Sequence, residues 1–107
     1  MPESASTRNY EFHPEAEDEF LAELDRLEAT DPYVAGDFNA EVYAGVQLLL
    51  EHPEAGPALG RSKALRRKVL RRFRFTLIYA AEPELIRIIA VAHESRRPGY
   101  WRARLKP

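Results

Sequence analysis

The chain has 107 residues, 45% of them hydrophobic and 31% charged, with no cysteine and a formal net charge of −1. That is one domain's length with apolar material for one core, which excludes a chain disordered throughout. Disulfides and thiolate metal sites are excluded with the cysteines, no apolar run approaches the roughly 20 residues of a membrane helix, and "MPESASTRNY" lacks a basic and apolar secretory leader, so a cytoplasmic protein is expected.

The small net charge hides a division. Residues 1–57 hold 14 Asp and Glu against 2 Arg, a balance of −12, while residues 58–107 hold 14 Lys and Arg against 3 Glu, a balance of +11. Either the two halves neutralise each other in the fold, or the protein carries an acidic face and a basic face, each suited to a partner of opposite sign.

In chain order, residues 1–8 are polar and expected to fray. "NYEFH" alternates over a strand's length, with Tyr10 and Phe12 on one side. Pro14 suits the first position of a helix whose apolar stripe is Ala16, Phe20, Leu24 and Leu27, with acids on the other sides and near the favourable end of the dipole. "ATDPY" breaks that helix. Asp31 can cap a second one with Pro32 at its first position, and Phe38, Val42, Val46 and Leu49 form its stripe. Ala35, Gly45 and Leu48 lie beside that stripe, and Gly45 is small enough to let the helices pack closely. So short a connection predicts an antiparallel helical hairpin. "EHPEAGPALG", with two Pro and two Gly, reads as a loop. Ala64 to Leu70 reads as a strand. Phe73, Phe75, Leu77 and Tyr79 alternate with more polar positions as a second, "AEPE" turns, and Leu85 to Ala92 is apolar enough for a central strand covered on both faces. The expected class is α+β: strand, helical hairpin, three-stranded antiparallel meander and short tail, in a single domain over residues 9–107. The first strand should pair at an edge or beside the last. The expected core is Phe20, Leu24, Leu27, Phe38, Val42, Phe75, Leu77, Tyr79, Ile88 and Val91.

Candidate functional residues gather in the basic half. Arg66, Arg67, Lys68, Arg71, Arg72 and Arg74 are six of nine consecutive residues. Strand alternation puts Arg66 and Lys68 on one face and Arg67 on the other. A sheet with helices on one side only should show a basic open face, fit for nucleic acid or for an acidic protein segment. Past the last strand comes "HESRRPGYWRAR". His93 is a general base or a packed strand end. His13 and His52 offer no metal spacing with it, so neither a metal nor a cofactor is expected. Arg96 and Arg97 can clamp a phosphate or carboxylate, or pair with the acidic helices. Tyr100 and Trp101 can stack on bases or anchor an interface, or Trp101 can fold back over the sheet end. Arg102 and Arg104 should face solvent unless a partner covers them.

Four local patterns, "FHPEAEDEFLAEL", "HPEAG", "LRRKVLRRFRFTLIY" and "AVAHESRRPGYW", occur in this order over residues 9–104. Together with the element order they resemble the RelE/ParE superfamily of toxins from type II toxin–antitoxin pairs. The resemblance implies a cognate antitoxin that silences the toxin. RelE-like members cleave mRNA on the ribosome without a metal, using sheet arginines and a tyrosine near the C-terminus. Their first arginine corresponds to Thr76 here, a second to Ser95, and their tyrosine to Trp101, whose indole N–H only donates. The chain therefore resembles the ParE-like, plasmid-stabilisation branch, described as poisoning DNA gyrase without catalytic residues. The expected target- or partner-binding set is Arg66, Lys68, Arg71, Arg72, Arg74, Arg96, Arg97, Trp101 and Arg104. DNA contact is expected only indirectly, through the antitoxin complex. One alternative is a ribosome-dependent mRNA interferase with a rearranged set of His93, Arg96, Arg97 and Tyr100. The other is a non-toxic antitoxin-binding module.

Overall fold

The computed structural model describes residues 8–105, with the side chains of Ser62 and Lys63 left out; the expected fraying of the N-terminus lies, for residues 1–7, outside the described residues. The elements are β1 (Asn9–Phe12), α1 (Pro14–Thr30), α2 (Pro32–Glu51), β2 (Ala58–Leu59), β3 (Ser62–Leu70), a short 3₁₀ turn (Arg71–Phe73), β4 (Phe75–Glu82), β5 (Leu85–His93) and a C-terminal 3₁₀ segment (Tyr100–Leu105). The sheet order is β1-β5-β4-β3-β2. β1 is both at the edge and beside the last strand, parallel to it, with Asn9 opposite Leu85 and Phe12 opposite Ile88. The other pairs are antiparallel. A parallel pairing needs a crossover, which the helical hairpin supplies.

Local chemistry explains the hairpin. His13 Nδ1 accepts the Glu15 N–H at 3.1 Å and caps α1, with Pro14 at the first helical position. Asp31 serves both helices. Its own N–H closes α1 on the Leu27 carbonyl at 2.6 Å, and its carboxylate accepts the Tyr33 N–H at 3.0 Å to open α2. The hairpin packs on one face of the sheet. Ala16, Phe20 and Leu27 of α1 and Phe38, Val42, Val46 and Leu49 of α2 meet Leu77 and Tyr79 of β4 and Ile86, Ile88 and Val91 of β5. Leu24 is half-buried at the margin. Two expectations for α2 need correction. Leu48 points outward and is 37% exposed. Gly45 faces the sheet rather than α1, since a Cβ there would lie 3.3 Å from the Leu77 side chain.

The central strands differ from expectation at their ends. Phe73 belongs to the 3₁₀ turn and not to the strand, and Arg74 is left-handed at φ 61° and ψ 37°. Leu70 and Phe75 face each other across the β3–β4 pair, so four residues must reverse the chain, and a left-handed residue completes the reversal. The loop after α2 contains the short β2. "HPEAG" is tied to the sheet: the Tyr79 hydroxyl donates to the Pro53 carbonyl at 2.8 Å and accepts the Gly56 N–H at 3.1 Å, while Arg66 donates to the Gly56 carbonyl at 2.9 Å. Gly56 lies flat on β3, where a Cβ would collide with the Arg67 carbonyl.

The face opposite the helices is not simply open and basic. In the β4–β5 ladder Ile78 faces Ala90 and Tyr79 faces Ile88, which leaves Ile89 as the extra residue of a bulge. The bulge explains the unbroken apolar run: Ile88 and Val91 join the helical core, while Ile89 and Ala90 join a second core with Leu65, Ile78 and Trp101. The C-terminal segment is a strap over this outer face, with Trp101 only 5% exposed.

Two substitutions test these backbone assignments by chemical denaturation. Gly56→Ala should lose about 2–3 kcal/mol, because only backbone movement can make room for the methyl group. Arg74→Gly should gain about 0.5–1 kcal/mol by removing left-handed strain.

Candidate functional site

The strap is held by one carboxylate. β1 ends at Phe12, and the last strand-side bond to β5 is from the His13 N–H to the Ile88 carbonyl at 2.8 Å. Beyond that point β5 has a bare edge. Glu19 of α1 accepts the Val91 N–H at 2.9 Å, and Arg104 donates to the Ile89 carbonyl at 3.0 Å. Arg104 also forks onto Glu19 at 3.0 and 2.8 Å and reaches Glu15 at 3.1 Å. The Tyr100 hydroxyl donates to Glu19 at 2.6 Å, and Arg96 lies 3.7 Å from the same carboxylate, its guanidinium 3.8 Å above the Tyr100 ring. The Arg104 and Glu19 side chains are only 10% and 15% exposed. Burial pushes the Glu19 pKa up, but the hydrogen bonds from Arg104, Tyr100 and Val91 outweigh it and hold the carboxyl below its ordinary range. Burial and then the bond to Glu19 push Tyr100 up to about 12.

Beside the strap, on the outer face, is a cleft of about 390 Å³. Arg67 of β3, Thr76 of β4, and His93, Arg96, Arg97 and Arg102 from the end of β5 onward line it. Its floor is the face of the sheet, at Ile78 and Ala92, with Trp101 closing the end. His93 Nδ1 is occupied by Ser95, at 2.8 Å from the hydroxyl and 3.0 Å from the N–H, and its ring meets the Phe75 edge at 5.0 Å. His93 is therefore a packed strand end with Nε2 left over. Arg102 stacks over Trp101 at 4.9 Å.

The structure separates the residues singled out from sequence. Arg96 and Arg97 line the cleft, and Tyr100 borders it while its hydroxyl is spent on α1. Arg71, Arg72 and Arg74 sit at the sheet's end, with Arg72 on Asp37 at 2.9 Å and Arg74 on Glu94 at 3.3 Å. Arg66 and Lys68 share the helix-side parity of Leu70, and Arg66 is tied to the "HPEAG" loop. Two placements differ from expectation, and a third decides between two readings. Arg104 is not at a solvent or partner surface, because its guanidinium is turned onto Glu19, Glu15 and the bare β5 edge and its side chain is only 10% exposed. Trp101, expected either in the binding set or folded back over the sheet end, is folded back, because the second apolar face needs a cover. Arg66 is not part of a free basic face, because its guanidinium holds a loop carbonyl.

The residues that the expected binding set leaves out are Glu19, Arg67 and Arg102. Glu19 had a signal: it lies three after Ala16 and one before Phe20, on the inward flank of the α1 stripe, where a solvated acid has no business. Among the described residues no His, Cys, Asp and Glu cluster could hold a metal, and no helix is long and apolar enough to cross a membrane.

The family model described as ParE toxin of type II toxin-antitoxin system, parDE, matches residues 10–98. Among solved structures, a chain of the "Chromosomal ParDE TA system from P. aeruginosa" is similar in fold, with a TM-score of 0.66 at 16% identity, covering 81% of this chain and 96% of that one. No curated protein matches the sequence.

The strap network sets a pH dependence. Glu19 is depressed, so its stabilisation is present above the unfolded carboxyl value of about 4.3 and is lost as pH falls through the lower folded value. Tyr100 is raised, so its contribution is complete below about 10 and disappears between there and about 12. Denaturant midpoints across pH should fall at both ends. Tyr100→Phe should flatten the alkaline limb. Glu19→Ala should flatten the acid limb and cost about 2–3 kcal/mol at neutral pH, since it strands Arg104 and the Val91 N–H.

Proposed function

The chain belongs to the ParE toxin family, so it is the toxin half of a type II toxin–antitoxin pair, and from this premise we propose that it inhibits DNA gyrase and is neutralised by a cognate antitoxin. The observation that carries the gyrase reading is the make-up of the outer-face cleft. It is rich in guanidinium groups and poor in acid–base chemistry. Metal-free RNA cleavage needs a group to activate the 2′-hydroxyl, charge to stabilise the phosphate and a proton for the leaving oxygen. At the positions where RelE-like relatives keep their set, this chain has Thr76, Ser95 and Trp101. The neighbouring Tyr100 cannot stand in, because its hydroxyl is bound to Glu19 and its pKa is pushed up to about 12. His93 has one ring nitrogen occupied by Ser95.

A poison of gyrase requires only a surface that binds the enzyme in the state with cleaved DNA and slows its release. Arg96, Arg97 and Arg102, presented on a strap locked by Glu19, suit such a surface. Arg71, Arg72 and Arg74 continue the charge along the sheet's end.

The test is induction from a tightly controlled promoter with DNA and protein synthesis followed by pulse labelling. DNA synthesis should stop first, with filamentation and a DNA-damage response, and Arg97→Ala should weaken the arrest by about tenfold in the inducer needed, the effect of one charged contact of about 1.4 kcal/mol. Translation stopping first would return the mRNA interferase reading with His93, Arg96, Arg97 and Tyr100. Unimpaired growth would point to a non-toxic antitoxin-binding module.

A further inference from the structure

The charge division of the sequence survives folding. Among the described residues, only a few acids of the helical layer cross over to basic partners: Glu15 and Glu19 to Arg104, Glu19 to Arg96, and Asp37 to Arg72. The outer face keeps its cations. Among the described residues, Arg67, Arg97 and Arg102 have no carboxylate partner, whereas Arg72, Arg74, Arg96 and Arg104 each have one. These three line the same cleft, and come to it from three directions: β3, the loop after β5, and the strap. The one carboxylate on its lining, Glu94, is already engaged by Arg74.

We infer that this cleft binds the phosphodiester backbone of a nucleic acid directly, in place of the contact through an antitoxin complex that the family resemblance suggested. Three features favour phosphates over an acidic peptide. The cleft floor is the face of the paired strands β4 and β5, and the strand edge at its rim is only the two-residue β2 at Leu59, which leaves an extended peptide little backbone to pair with. The cleft's largest apolar groups, Ile78 and Trp101, are each only 5% exposed, so they offer a side-chain anchor little to pack against. Guanidinium forks and a hydroxyl at Thr76 are the donors that phosphate oxygens accept.

The same geometry limits what is read. The Tyr100 ring is covered by Arg96 and the Trp101 ring by Arg102, so no aromatic face is free to stack on a base. The binding is therefore to backbone, tolerant of sequence and steep in salt. It is also local, since a chain of net charge −1 has no overall attraction for a polyanion.

The experiment uses the purified full chain and a fluorescein-labelled DNA duplex of mixed sequence, followed by anisotropy between about 50 and 200 mM salt. Three phosphate contacts predict a slope of log K against log salt of roughly −2 to −3, which is about a 40-fold loss over that range. The double variant Arg67→Ala, Arg97→Ala should reduce the slope to about −1, and the corresponding double lysine variant should restore it, since lysine also neutralises a phosphate. Arg61→Ala, on the β2–β3 hairpin outside the cleft, should bind as the unaltered protein does. Circular dichroism establishes that each variant is folded. Poly-glutamate at equal charge should compete poorly. Single-stranded RNA bound more tightly than the duplex, with a slope of about −2 and the same variant dependence, would support the backbone chemistry and assign its source to RNA. No binding at 50 mM salt, binding unaffected by the double alanine variant, or equal competition by poly-glutamate would overturn the inference. Because this readout needs neither gyrase nor growth, it fails or stands separately from the gyrase reading.

Discussion

The Glu19 carboxylate is the point at which the first helix, the edge of β5 and the C-terminal strap are joined. β1 is too short to cover β5, and a bare strand edge inside a folded domain leaves backbone groups that cost free energy unless they find partners. Glu19 satisfies the Val91 N–H, and Arg104 satisfies the Ile89 carbonyl. The two side chains neutralise each other, so neither is a lone buried charge. In closing the edge they also bring the C-terminus back over the sheet, with the Tyr100 hydroxyl as a further donor. Trp101 then lands on Ile78, Ile89 and Ala90 and seals the second core. The position of Arg96, Arg97 and Arg102 follows from that docking. The site is thus built on a strap whose anchor lies on the first helix.

The same network shows how the two charged halves of the sequence are used. Arg104 is consumed inside, as Arg66 is by the "HPEAG" loop. What remains is a molecule with acids on the helical layer and cations on the outer face of the sheet and at its end. Such a polarity orients the protein toward a polyanion even though its net charge is near zero. The fold itself does not dictate the target, because one scaffold can serve a nuclease or a binding protein. The distinction lies in a few side chains on the outer face. With threonine on the central strand and a tryptophan buried in the strap, the cleft keeps its charge and lacks an acid–base pair.

Much of the architecture was legible from residues 9–104 alone. His13-Pro14 and Asp31-Pro32 each combine a capping side chain with a proline at the first helical position, and those are local effects that do not depend on the rest of the fold. The apolar stripe of α2 and the alternation from Phe75 to Tyr79 report burial directly, and the expected core residues lie in the helix-side core or at its margin. The family resemblance followed from the same motifs. Tyr79 and Gly56 give "HPEAG" its physical meaning, a loop fastened to the sheet.

What the sequence by itself determined was the identity and order of the two helices and the four longer strands, because periodicity and caps act over a few residues. The tertiary structure decided which charges are free. Arg66 and Arg67 are adjacent and chemically alike, yet one holds a loop carbonyl and the other lines the cleft, because the pleat sends them to opposite faces. Arg104 reads as a solvated tail residue until Glu19, 85 positions earlier, is brought beside it. The bulge at Ile89 sends two consecutive apolar residues to the outer face, and so creates the surface that Trp101 covers. Contacts of that span depend on how sheet, helix and tail meet in space, and no local pattern encodes them.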